Sequence, residues 1–403
     1  MNKKPILLQI NVTSNWGSTG RIAEDIGIIV QSNGWENYIA YGRGKQQSKS
    51  KQIRIGNSIN MYIHAINSFL FDKHGLLSKK ATINLIEQIK KISPDIIHLH
   101  NIHGYYLNYP ILFNFLSKSN IPVVWTLHDC WPLTGHCAYF DFVNCNKWKK
   151  QCHDCKALNT YPKALIDSSK KNHSLKKQYL TKIPKMVLVP VSFWLDKIIS
   201  DSILSHYKTK IIHNGINIDI FKPTIDYTII NKYHIKEQFI ILGLTNIWAE
   251  RKGLNDIIKL NGIIDHDIFQ IVLVGLTNKQ IKQLPDSIIG IPRTDSIQDL
   301  VKLYSHAGVF INPTWEDNFP TTNLEALACG TPVITYNTGG SPEAIDEKTG
   351  YVVPKGNIEE LYNSIKKVRE GNIKREDCRL RAETLYNKDK KFKEYIDIYN
   401  SLL

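Results

Sequence analysis

No stretch of this chain comes near the roughly 18 consecutive apolar residues that a membrane span requires; the longest candidate, MVLVPVSFWL at 186–195, is far shorter. The start, MNKKPILLQINVTSN, has a basic lead. Its apolar run falls short of the roughly 7 to 15 residues of a secretory signal core, and no small-residue cleavage pattern follows. Repeats and low-complexity segments are also lacking. These absences predict a cytoplasmic globular protein, and in that reducing setting clustered cysteines favour metal or free thiols over disulfides. The second half lacks any excess of positive charge. Of a formal net charge of +14, residues 1–213 hold 28 Lys+Arg against 12 Asp+Glu, whereas the remainder holds 23 against 25. The two halves therefore face different partners.

What is present is ordinary in amount: 42% hydrophobic and 22% charged over 403 residues, enough for two or three domains that bury cores without disulfides. Apolar runs such as DIIHLH and PVVWTL lack alternation, as strands buried on both faces do, and they alternate with helical patterns such as ATINLIEQIKKI. The alternation breaks after Asn214-Gly215 and restarts at FIILGLTN. It predicts two α/β, Rossmann-like doubly wound domains, 1–213 and 214–385, with a C-terminal helix over about 386–403 returning to the first. Two such domains in tandem predict a cleft between the carboxyl ends of their sheets.

The most informative window is WEDNFPTTNLEALACGTPVITYNTGG, residues 315–340. Its loop-to-helix passage predicts Thr321 or Thr322 as the helix cap and an anion site at the helix start. Glu325 lies one turn in, where a carboxylate can accept from paired ribose hydroxyls, although a first-turn acid on the helix dipole reads equally well. Gly17 and Gly20 let backbone approach a ligand between the first strand and a helix expected near Arg21, or simply make a tight turn. His98, His100 and His103 in HLHNIHG read as satisfied strand-end histidines rather than a metal site. Asp265-His266-Asp267 reads as a solvated turn.

An acid, seven residues, then EALACGTPV resembles the EX7E donor signature of retaining GT-B glycosyltransferases of family 4. INVTSNWGSTGR (10–21) resembles that family's first glycine loop, IHNGINIDIF (212–221) its interdomain segment, and ERKG (250–253) its phosphate-binding Lys-Gly. The cysteine-rich segment resembles a capsule, exopolysaccharide and colanic-acid-like subset. The resemblance implies a GT-B fold, a nucleotide-diphosphate sugar donor on the C-terminal domain, and a lipid-linked or oligosaccharide acceptor on the basic N-terminal domain. It also implies retention of configuration and no cofactor for catalysis. Carried over, Glu325 holds the ribose and Asp317 the donor sugar's hydroxyls. Arg251 and Lys252 neutralise the leaving diphosphate, and His128 stands beside the reacting carbon. Gly17, Phe319, Thr321 and Thr322 complete the donor-binding set. The chain departs from the pattern in having Asp317 rather than Glu, and Asn246 where the family often has Arg.

HDCWPLTGHCAYFDFVNCNKWKKQCHDC (128–155) follows a strand end. His128 and Asp129 are expected to face the cleft, and Cys137, Cys145, Cys152 and Cys155 to hold a structural zinc as four thiolates; reduced thiols and disulfides remain alternatives. Cys130 reads as packed. The basic first half predicts peripheral contact with an anionic membrane on its cytoplasmic face, through RGKQQSKSKQIR (43–54) and SLKKQYLTKIPK (174–185). Two readings compete: a nucleotide-sugar epimerase of the same fold, and a zinc-knuckle nucleic-acid-binding protein using NKWKK. The near-neutral second half speaks against nucleic acid.

Overall fold

The computed structural model describes residues 4–236 and 238–403. It divides into two units, one of residues 1–213 with 389–403 and one of residues 214–388.

The first unit is built on a seven-stranded sheet of β1 (Ile6–Asn11), β2 (Glu36–Tyr41), β3 (Lys51–Arg54), β4 (Ile96–Leu99), β5 (Val123–Leu127), β6 (Met186–Pro190) and β7 (Lys208–Thr209), in the order β3-β2-β1-β4-β5-β6-β7. Every ladder is parallel. The chain winds outward from β1 in one direction and then in the other, so the switch point lies between β1 and β4, where open α/β sheets bind ligands at the strands' carboxyl ends. Helix α1 (Gly17–Ser32) starts a full turn before Arg21, with Trp16 at its N-cap. Its Ile22, Ile26, Ile29 and Val30 pack with Leu7, Ile96 and Val124 of the sheet. The terminal helix Lys388–Leu402 adds Phe392, Tyr395, Ile396 and Tyr399 to the same cluster, at the i, i+3, i+4, i+7 spacing of one helix face. Burying each such side chain contributes roughly 1.5–3 kcal/mol.

A polar chain crosses this core. Tyr399 Oη and His98 Nδ1 are 2.7 Å apart, His98 Nε2 and Thr126 Oγ1 2.8 Å, and Thr126 Oγ1 and Tyr395 Oη 2.9 Å. His98 and His100 are thus satisfied core histidines, as HLHNIHG suggests, and burial pushes both well below the usual imidazole range.

The second unit carries a six-stranded parallel sheet of β8 (Phe239–Leu244), β9 (Phe269–Val274), β10 (Ile288–Ile291), β11 (Val309–Asn312), β12 (Val333–Tyr336) and β13 (Gly350–Val353), ordered β10-β9-β8-β11-β12-β13. Its switch point lies between β8 and β11, so the segments just after those strands, 245–253 and 313–320, are where a ligand site is expected.

Candidate active site

Those two segments are laced together. Gly253 has φ +80°, and a Cβ there would lie 2.1 Å from the carbonyl oxygen of Pro313, so only glycine lets the 250–253 turn rest on the loop after β11. Arg251 O accepts from Trp315 N at 2.8 Å. The result is a salt bridge between Lys252 Nζ and Asp317 Oδ2 at 2.6 Å, both side chains less than a fifth exposed. Beside it Arg251 Nε lies 3.7 Å from Glu316 Oε1, and Arg251 also donates to the Glu316 carbonyl at 3.3 Å. Glu316 is not among the residues singled out above. The two cations expected to meet a diphosphate are each held by a neighbouring carboxylate.

Further residues fix the loop that carries Asp317. Thr338 Oγ1 donates to Trp315 O at 2.8 Å, Trp315 Nε1 to Asp256 Oδ2 at 2.8 Å, and Asn214 Nδ2 to Phe319 O at 3.1 Å. Gly339, φ +51°, sits so close that a Cβ would fall 1.7 Å from Asp317 O. Phe319 is itself buried, its ring 5.8 Å from Tyr386, so its side chain is packing. No local pattern singles out Asp256 or Thr338, because their roles arise from strands and helices distant in sequence.

The helix Thr321–Ala328 begins differently from the expectation. Its N-cap is Pro320 and no side chain caps it; Thr321 and Thr322 are its first two helical residues, because proline supplies the extended N-cap backbone one position earlier. Glu325 lies beyond the first turn, half-buried, and one of its oxygens accepts from Tyr304 Oη at 3.0 Å. Asn246 is exposed just after β8. Asp265-His266-Asp267 is an exposed turn whose His266 and Asp267 carbonyls accept from Gln238.

In the first unit, Gly17 has φ +68° with open space at its Cβ, whereas a Cβ on Gly20 would lie 2.6 Å from Thr13 Oγ1. Gly17 therefore answers a backbone need and Gly20 a packing one. His128 directly follows β5, half-buried, its Nε2 3.1 Å from His100 Nδ1. Hydrogen-bond accounting fixes the tautomers. Gln9 donates its amide to Ala23 O, so its oxygen accepts from His100 Nε2 at 2.9 Å. His100 Nδ1 is then an acceptor, His128 Nε2 its donor, and His128 Nδ1 carries a lone pair. Burial pushes His128 down to about 4, so the ring is neutral near pH 7.

Asp129 is turned inward, contrary to the expectation that it faces a cleft: its Oδ2 is 2.7 Å from His103 Nε2, and its Oδ1 accepts from Trp131 N at 2.9 Å. Burial alone would raise this carboxyl, but His103 and the Trp131 N–H outweigh it and hold it below the usual range. All seven cysteines are free thiols. Cys137, Cys145, Cys152 and Cys155 line one cavity of about 20 Å³ together with His136 and Ser169. Among the described residues, no three His, Cys, Asp or Glu side chains are already set around one point as metal ligands. Trp148 of NKWKK is buried, its indole stacked on Phe140, so that stretch offers no aromatic face to a nucleic acid.

Comparison with known proteins follows the same division. Residues 29–220 match the family "Glycosyltransferase Family 4" and residues 227–384 the family "Glycosyl transferases group 1". The chain is 24% identical, over 98% of its length and 100% of the other's, to the putative colanic acid biosynthesis glycosyl transferase WcaC of Escherichia coli (strain K12). Its fold is similar to that of sucrose-phosphate synthase from Thermosynechococcus elongatus (TM-score 0.75, 17% identity, 99% of both chains). It is also similar to Anabaena HepE in complex with UDP (TM-score 0.70, 12% identity, 98% of this chain and all of that one).

Proposed function

We propose that this chain, a glycosyltransferase of the GT-B fold by the match of both its halves, moves a sugar with retention of configuration from a nucleoside-diphosphate sugar to a lipid-linked acceptor in surface polysaccharide synthesis. The observation that carries the reading is the Lys252–Asp317 pair at the switch point of the second sheet. Departure of a nucleoside diphosphate builds up negative charge, which fixed cations stabilise best when they need not reorganise. Asp317 Oδ2 pins the Lys252 ammonium, whose remaining N–H bonds can reach a phosphate, and leaves Oδ1 to accept from a sugar hydroxyl. Arg251 adds a second cation and Glu325 accepts from the ribose, while His128, neutral, is the first unit's candidate for a sugar contact. Adding UDP or UDP-sugars to the protein should raise its melting temperature by several degrees, since a ligand of the native state alone stabilises it by mass action. A melting curve unmoved by any nucleoside diphosphate at millimolar concentration would refute the donor reading.

A lipid-linked acceptor requires the basic first unit to reach a bilayer, and helix α2 (Ser58–Phe71) supports that. Only His64 and Ser68 of this helix are buried. Ile59, Tyr62, Ile63, Ile66 and Leu70 share an exposed face at helical spacing, with Ile59 69% and Tyr62 63% exposed, and Leu165 and Ile166 are exposed near its end. Exposed Lys51, Arg54, Lys73, Lys79 and Lys80 flank it. An apolar stripe edged by cations is the pattern of an interfacial helix that lies in an anionic bilayer surface. Each half-inserted side chain contributes about 1 kcal/mol and each basic residue near the surface about 1 kcal/mol. Segment 43–54 leads into this helix; segment 174–185 is less suited, because Lys176 and Leu180 are buried. The chain should sediment with vesicles rich in anionic lipid, not with neutral ones, and Ile59→Asp/Ile66→Asp should abolish this. Equal recovery with both vesicle types, or a stable dimer in solution that the double substitution dissociates, would overturn membrane docking.

A further inference from the structure

We propose that the excursion 130–155 binds one zinc ion in the cavity of about 20 Å³, through the thiolates of Cys137, Cys152 and Cys155 and the Nε2 of His136. The spacing of the cysteines brings thiols to the site; the histidine is what the tertiary structure adds. His136 is 2% exposed, and its Nδ1 lies 2.6 Å from Asp72 Oδ1. A carboxylate only accepts, so Nδ1 carries the hydrogen, and Nε2 is the nitrogen through which the neutral ring can ligate a metal. That Nε2 is buried and has no hydrogen-bond partner. Such an atom costs roughly 1–3 kcal/mol if nothing meets it, and it lines the same cavity as the thiols. An imidazole whose second nitrogen donates to a carboxylate is the usual arrangement of a zinc-bound histidine, with ring orientation fixed from outside. Asp72 is itself held in place, accepting from Ser168 N at 3.1 Å, while its carbonyl accepts from Asn172 Nδ2 at 2.7 Å.

The sulfurs show the same gathering. Cys137 and Cys155 line one cavity, and Cys152 Sγ accepts from Gly135 N at 3.2 Å, a backbone donor of the kind that supports a thiolate. Cys152-His-Asp-Cys155 has the two-residue gap that lets both thiolates grip one ion. Cys145 lies at the same cavity, half-buried; His136 takes the place that spacing alone gives to it. The four donors are not yet set around a common point, so binding draws them inward, and a cavity of this size holds one ion or one water and nothing larger. On binding, three thiols each release a proton and the neutral imidazole releases none, so the zinc dication and three thiolates carry a net charge of −1. Lys176, buried with its Nζ 3.5 Å from the Trp131 ring and donating to Trp131 O at 2.5 Å, is the buried cation of this excursion and would offset that charge. Thiolate and imidazole donors in a closed tetrahedral set select zinc as a structural ion. Its consequence is to fix the buried segment of Asp129 and Trp131, immediately after His128.

Metal analysis of the full-length protein, expressed with zinc supplied, should find one equivalent. Cobalt exchanged into the unaltered protein should show the visible bands of a tetrahedral sulfur-rich site, a readout independent of any variant's folding. His136→Ala and Cys152→Ser should each lose the metal and lower the melting temperature by several degrees, whereas Cys145→Ser should retain it. Protein that holds no zinc and gives no tetrahedral cobalt spectrum overturns the site. Retention of zinc in His136→Ala together with its loss in Cys145→Ser overturns the ligand set.

Discussion

Lys252→Ala should lower kcat for sugar transfer on the order of a hundredfold or more, with little change in the affinity for the nucleoside and a melting temperature within a few degrees of the unaltered protein. The size follows from when the charge appears. The second phosphate's negative charge grows only as the glycosidic bond breaks, so a cation aimed there acts on the transition state more than on the bound donor. The specificity follows from the geometry: Asp317 holds the ammonium at 2.6 Å in a setting less than a fifth exposed, where charges are screened less than at the surface. Structural loss is small, because Gly253 and the Arg251 carbonyl, not the Lys252 side chain, bind the turn to the loop. Asp317→Asn keeps an acceptor for a sugar hydroxyl but releases the ammonium, and should fall between the two. Glu325→Ala should act mainly on KM for the donor, since a ribose contact is the same in ground and transition states. Steady-state kinetics with a competent donor and acceptor separate these outcomes; a kcat near normal in Lys252→Ala together with an unchanged donor KM in Glu325→Ala would refute the assignment.

Acidification should unfold the first unit well before its carboxylates titrate. Burial pushes His64 and His128 down to about 4, and His98 and His100 are lowered as well. The unfolded chain takes up these protons near 6.5, whereas the folded chain takes up those of His64 and His128 only near 4 and those of His98 and His100 well below the usual imidazole range, so below 6.5 the unfolded state binds more protons and stability must fall with pH. The stability is fully present above about 6.5 and declines by about 1.4 kcal/mol per pH unit for each such histidine. For His64 and His128 alone the loss approaches about 3 kcal/mol each by pH 4, against a total domain stability of roughly 5–15 kcal/mol. His98, His100 and His128 stand in contact, so they charge in succession rather than independently. Urea midpoints followed by fluorescence of the buried Trp125 and Trp131 should drop steeply from pH 6.5 to 4.5. His64→Gln should flatten part of that slope, because an amide can still serve Gly75 N and Ser78 Oγ, which now hold the ring. A midpoint constant from pH 7.5 to 5 would count against the buried neutral histidines.

Much of the architecture is written locally. A strand buried on both faces shows no apolar–polar alternation, and IIHL and VVWTL show none, each holding one polar residue that is satisfied within the core. The helices between them carry one apolar face, so the order of strands and helices and the two parallel sheets follow from side chains within a few residues of each other. The same holds for Lys252-Gly253, whose glycine announces a backbone that no other residue can adopt. Neighbours distant along the chain are not written that way. Asp317 meets Lys252 across 65 positions, and only the order of β8 and β11 in the sheet brings the two loops side by side. Pro320 takes the N-cap that Thr321 and Thr322 suggest by type, because the loop's path, anchored at Phe319 O by Asn214, decides which residue stands there. Helix α2 shows the limit most plainly: its spacing of Ile, Tyr and Leu reads as a face turned to a core, and nothing within 58–71 says whether the covering layer is protein or solvent. A period reports that a face is apolar, whereas what covers it depends on every other element. His136 is the complementary case, one histidine among 14, distinguished only once Asp72 has taken one nitrogen and burial has isolated the other.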